Sequence, residues 1–147
     1  MKNNKKGFTL IELLAVIAIL AILVVLAVPA ILDIFNTSKK NAFVTQAQTI
    51  YKAAEEEYLT KQLGTTPVYT FCKSGNSSSN PLSLQGTKDV DYIVTFGNSG
   101  ANLGKVISIK VKQGTNGISL PESGTNPVNI AEITAEKISS DVTITCN

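Results

Sequence analysis

Gly7-Phe8-Thr9-Leu10-Ile11-Glu12 runs without a break into residues 13–32, LLAVIAILAILVVLAVPAIL, and these two stretches decide how the chain can fold. The 20 residues 13–32 carry no charge and no hydrogen-bonding side chain. As a helix they span about 30 Å, the thickness of a bilayer's hydrocarbon core. Lys2, Lys5 and Lys6 precede the run, which places the N-terminus in the cytoplasm and the remainder outside. Lys39 and Lys40 on the far flank dilute that bias without reversing it. Two ordinary readings fit such a span: a secretory signal cleaved near Ala30, where Val28-Pro29-Ala30 offers small or aliphatic residues, and a plain membrane anchor. Neither has a use for Glu12. A carboxylate deep in a membrane helix costs about 2.5–3.5 kcal/mol on insertion scales, and less near the interface, so it points to function.

Lys5-Lys6-Gly7-Phe8-Thr9-Leu10-Ile11-Glu12 resembles the type IV pilin leader: a basic stretch, Gly, an aromatic residue, Thr-Leu, a branched aliphatic and Glu, then about 20 apolar residues. The resemblance covers the first third of the chain. It implies that residues 1–7 form a leader, that a prepilin peptidase cuts between Gly7 and Phe8, and that the new amino group on Phe8 is methylated. It further implies a single-pass membrane protein that is moved by inner assembly machinery into an extracellular, helical homopolymer. Pro29 stands where that family commonly has a helix-disrupting proline. The disruption is either a simple kink or a segment that melts in the filament. In such a polymer Glu12 of one copy can pair with the Phe8 ammonium of the next. Within one helix, Phe8 and Glu12 are also four residues apart on one face, so a self-pair competes.

Composition narrows the chemistry. The 147 residues contain no His and no Trp, and all 13 basic residues are Lys. The usual base for a Ser or Cys nucleophile is missing, as is the guanidinium fork that phosphate and nucleic-acid sites favour. Removing residues 1–7 takes three lysines and no acid, leaving 10 lysines against 11 acids, a side-chain balance of −1. No enzyme, cofactor, metal or nucleic-acid partner is expected. Cys72 and Cys146, both beyond the apolar span, are an even pair and suggest one disulfide in an exported chain.

Past Pro29 a helical stripe resumes on Phe43, Ala47, Ile50, Tyr51, Ala54 and Tyr58. Gly64-Thr65-Thr66-Pro67 is a stop, so the long helix is expected over 8–63, with 13–32 crossing the membrane before assembly. The head, 64–147, begins with a Ser/Asn/Gly-rich loop at 64–89. Alternation predicts strands at Val90–Phe96 and Ile107–Val111, a turn at Gly114–Gly117, a short strand Ile118–Leu120, and a last strand bearing Val142, Ile144 and Cys146. Residues 127–138 lean towards a helix starting at Asn126-Pro127, although Val128 and Ile130 also alternate. The expected fold is α+β: one long helix, apolar in its first half, whose second half packs on an antiparallel sheet of three to five strands. Leu120-Pro121-Glu122-Ser123-Gly124 resembles a sortase motif but reads as a turn.

The leading functional expectation is a pilus subunit supporting adhesion or motility. A pseudopilin of a secretion or DNA-uptake system shares the leader. A secreted binding module cleaved near Ala30 is the alternative of another class.

Overall fold

A computed structural model describes residues 7–64, 67–85, 89–121 and 127–146. The lysines before Gly7, the Glu122–Gly124 part of the sortase-like motif and Asn126 lie outside these residues. The chain forms two compact units, Met1–Ser38 and Lys39–Asn147. Helix α1 spans Leu10–Gln62, 53 residues, with Pro29 inside it.

In the first unit every described side chain is exposed. Over residues 13–32 the helix is aliphatic on all sides, so that stretch has no polar face to turn to water, and α1 is long and apolar enough to cross a membrane. Helical structure continues through Pro29. The proline nitrogen has no proton to give, which leaves the Val25 carbonyl without its usual donor four residues on.

In the second unit α1 buries Phe43, Ala47, Ile50, Tyr51, Ala54 and Tyr58, the stripe predicted by spacing. These side chains join one apolar cluster with Phe71, Tyr92, Val94, Phe96, Ile109, Val111 and Ile118 from the sheet. Five antiparallel strands make that sheet: β1 Thr70–Ser74, β2 Ser77–Ser79, β3 Asp91–Phe96, β4 Val106–Gln113 and β5 Asn116–Leu120, in the order β2-β1-β3-β4-β5. Side chains of a strand alternate between faces. The row Phe71, Val94, Ile109, Leu120 accordingly faces the helix. The next row, Cys72, Ile93, Lys110, Ser119, faces away from it.

Three expectations need correction. Residues 64–89, read as loop, contain the hairpin β1–β2. Phe71, fully buried opposite Val94, anchors β1. The serines of β2 then follow by backbone pairing alone, which their composition does not announce. Gly75, at φ 56°, opens the two-residue turn, and its amide donates to Asp91 Oδ1 at 2.7 Å. Residues 127–138 form two 3-10 turns, Ile130–Glu132 and Ala135–Lys137, not an α-helix. Val128 is kept out of a helix because its amide donates to the Val106 carbonyl at 2.7 Å and its carbonyl accepts the Tyr51 hydroxyl at 2.9 Å. The turn starts at Asn129, whose side chain accepts the Ala131 amide while Glu132 accepts the Asn129 amide.

The third correction concerns the C-terminal segment, which makes no strand. It is a strap over the sheet face opposite the helix. Ser139 exchanges two backbone hydrogen bonds of 2.8 Å with Gly117 on β5. The Ser74 hydroxyl on β1 donates to the Ile144 carbonyl at 3.0 Å, and Cys146 is bonded to Cys72 with Cα atoms 5.7 Å apart. Between these anchors Val142 and Ile144 are buried with Cys72 against Ile93, a second small core. The alternation read in the sequence is that of an extended segment crossing strands, not pairing along one.

Two outcomes follow for the head. A Cβ added at Gly117 would lie 2.5 Å from Val142 Cβ, so Gly117→Ala must lift the strap. It should destabilise the head by about 1–3 kcal/mol, read by denaturant melts of the detergent-solubilised protein with the disulfide intact. Burial, and then the Glu55 carboxylate, push the Tyr51 hydroxyl from 10.0 up to about 12. The fold holds the neutral phenol, so this stabilisation is whole below pH 10.0 and is lost as pH rises towards 12. Tyr51→Phe should flatten that part of the stability–pH curve.

Candidate processing and assembly site

The helix start explains how Glu12 is held. Thr9 is the N-cap and Glu12 the third helical residue. The Thr9 hydroxyl oxygen accepts the Glu12 amide at 3.3 Å, and Glu12 Oε2 accepts the Thr9 amide at 2.9 Å and the Thr9 hydroxyl at 2.7 Å. The Leu13 amide donates to the Thr9 carbonyl at 3.3 Å. This is a reciprocal cap that satisfies helix-end donors from within the chain. Thr9 was not among the residues singled out from the sequence for a role, yet the Thr-x-x-Glu spacing of such a cap is plain there.

Sharing Oε2 with Thr9 leaves Oε1 of Glu12 without a partner among the described residues. A carboxylate has roughly four acceptor positions, so the cap orients the group and leaves capacity for a cation. With the Gly7–Phe8 peptide intact, Phe8 has an amide and not an ammonium, and its side chain is 90% exposed. A Cβ added at Gly7 would find no atom within 4 Å, its chain neighbours aside, so packing among the described residues does not require glycine there.

Elsewhere the described residues offer little for catalysis. They contain no group of three His, Cys, Asp or Glu side chains able to hold a metal. A cleft of about 590 Å³ is lined by Lys39, Phe43, Gln46, Gln113 and Asn116 among others, a set with no nucleophile and base in partnership. Glu55, Glu56 and Glu57 follow one another on α1, so their side chains fan out by about 100° each, and Glu57 pairs with Lys61 at 3.6 Å.

Residues 2–28 match the family described as the prokaryotic N-terminal methylation motif, the class III signal of type IV pilins. No curated protein and no solved structure matches the chain. The motif supports a prepilin of the pilin or pseudopilin kind, and a structural rather than an enzymatic protein. Such a motif implies processing by prepilin peptidase, and the apolar helix is consistent with membrane insertion before surface assembly.

The cap makes a direct prediction. Thr9→Ala removes the side-chain acceptor and one of the two donors on Glu12, and should weaken the helix start by about 1 kcal/mol. Amide hydrogen exchange over residues 10–13 in detergent should rise, whereas Thr9→Ser should leave it near wild type.

Proposed function

We propose that this protein is the precursor of a type IV pilus subunit. Its leader ends at Gly7, prepilin peptidase releases Phe8, and the Phe8 amine is methylated. The mature chain waits in the membrane through residues 13–32 until the assembly machinery adds it to a homopolymer. The observation that carries this reading is a carboxylate held by its own N-cap at the head of an aliphatic helix whose described side chains are all exposed in its unit.

Each part has a physical support. A Cβ at Gly7 would meet nothing among the described residues, so the lack of a side chain there suits an enzyme that must close on the backbone before the cut. Cleavage creates a cation one residue before the Thr9 cap. In an apolar bundle that ammonium and a neighbour's Glu12 neutralise each other, and leaving either unpaired costs about 3–5 kcal/mol. Register between copies follows from that penalty. Pro29 is the place where the helix has fewest backbone bonds to lose if the filament is stretched. The disulfide-tied head, exported with the chain, forms the surface that meets other cells or substrates and supports adhesion or motility.

The mature N-terminus tests the assignment. Mass spectrometry of the exported protein should find N-methylated Phe8 at its start, whereas a product starting at Ile31 would mark a secreted module. Glu12→Gln should be processed normally yet reduce surface filaments at least about tenfold, consistent with loss of a buried pair. Normal filament yield from Glu12→Gln would remove the pairing role.

A further inference from the structure

Beyond Gly117 the edge of β5 opens into a cleft. Ser139 takes both outward backbone bonds of Gly117, each 2.8 Å, but the residues preceding Ser139 fold into the 3-10 turn Ala135–Lys137 and do not continue alongside β5. Inward and outward pairs alternate along an antiparallel ladder, so Ser119, two residues on from Gly117, turns its own N–H and C=O to the same edge. Neither has a partner among the described residues. The gap is a cleft of about 380 Å³, within the roughly 300–1,000 Å³ usual for small-molecule sites, and it lies wholly in the unit Lys39–Asn147.

The walls combine cations, open donors, one acid and an apolar strip. Lys110 faces Ser119 across the β4–β5 pair, on the side of the sheet away from α1, and its ammonium has no partner among the described residues. Its three N–H donors add to the free Ser119 amide and hydroxyl. Lys137 brings a second ammonium to the lining. On the strap side stand Asp141 and Thr143, both exposed, and Pro121 supplies an apolar surface. Asp141 Oδ1 accepts the Ser140 hydroxyl at 3.2 Å, and its Oδ2 is open among the described residues.

We infer that this cleft binds a carboxylated sugar, the uronic-acid end of a glycan. The site belongs to the head alone and stands whether or not the chain polymerises. Each part of such a sugar meets its complement. The carboxylate suits the Lys110 ammonium and the Ser119 amide, which together give it charge-assisted hydrogen bonds. Ring hydroxyls suit Asp141, whose open oxygen accepts them, and Thr143, which accepts or donates. The C–H face of the ring suits Pro121. The lone acid decides between ligands. Sulfate or a bare carboxylate has no hydroxyl to give Asp141 and meets its charge at close range, whereas a neutral sugar leaves the Lys110 ammonium unused.

Nuclear magnetic resonance titration of the isotope-labelled full chain, in a polyoxyethylene detergent that offers no sugar headgroup, tests the site. Methyl glucuronoside should bind saturably at about 1 mM or tighter and shift the Ser119 amide resonance, with methyl glucoside and acetate each at least about tenfold weaker. Lys110→Gln should erase the preference for methyl glucuronoside over methyl glucoside. Asp141→Asn should weaken methyl glucuronoside about fivefold or more without weakening the residual binding of acetate. Lys112→Gln removes a charge from the same face of β4 outside the cleft and should change affinity by no more than about twofold. Each variant is checked for an oxidised Cys72–Cys146 bond and for exchange protection of the Ser139 amide, which separates lost binding from a displaced strap. No saturable binding of methyl glucuronoside to the wild-type chain, equal binding of acetate or methyl glucoside, or equal effects of Lys110→Gln and Lys112→Gln would overturn the assignment.

Discussion

Between Leu10 and Phe35 the helix presents aliphatic and aromatic side chains on every side, and within its own unit, among the described residues, all of them are exposed. At about 1.5–3 kcal/mol for each such side chain fully buried, covering even a third of them rivals the stability of a small domain, about 5–15 kcal/mol. Water is not an acceptable permanent neighbour for this segment. It must lie in lipid or against other helices. A hydrocarbon core satisfies the requirement, and in the filament proposed above a bundle of identical helices would satisfy it outside a membrane.

Hydrophobic covering has no preferred register, because an aliphatic rod packs nearly as well after a small slide. The few charges on the rod supply what the apolar surface lacks. Glu12 is oriented by Thr9 with one oxygen still open, and cleavage at Gly7 would place a cation within reach of a neighbour's copy of it. In the proposed filament, specificity thus rests on a few polar atoms and affinity on the aliphatic surface around them.

Much of this was legible before any coordinates. The leader and apolar run are contiguous, so their message needs no tertiary contact to be read. The Phe43–Tyr58 stripe was legible because helical spacing alone determines which residues share a face, and β3, β4 and β5 because alternation or a glycine turn marks them. The β1–β2 hairpin was hidden, since Ser77, Ser78 and Ser79 have no apolar face and pair only because Phe71 fixes β1. The strap was half hidden: alternation at Val142 and Ile144 reveals an extended chain but not whether it runs beside a strand or across several. Thr9 was overlooked because Glu12, so conspicuous as a membrane charge, was not also taken as the far half of a cap. Residues 127–138 misled because Val106 and Tyr51, distant in sequence, take both backbone polar groups of Val128 out of helical bonding.

The central claim is that Glu12 is matched across copies and not within one chain. A helical reconstruction of the sheared filament by electron cryomicroscopy tests it most directly. The account expects the α1 helices bundled at the filament axis, with a Glu12 oxygen about 3 Å from the Phe8 nitrogen of a neighbouring copy. A filament whose Glu12 faces solvent, or contacts only its own chain, would contradict it.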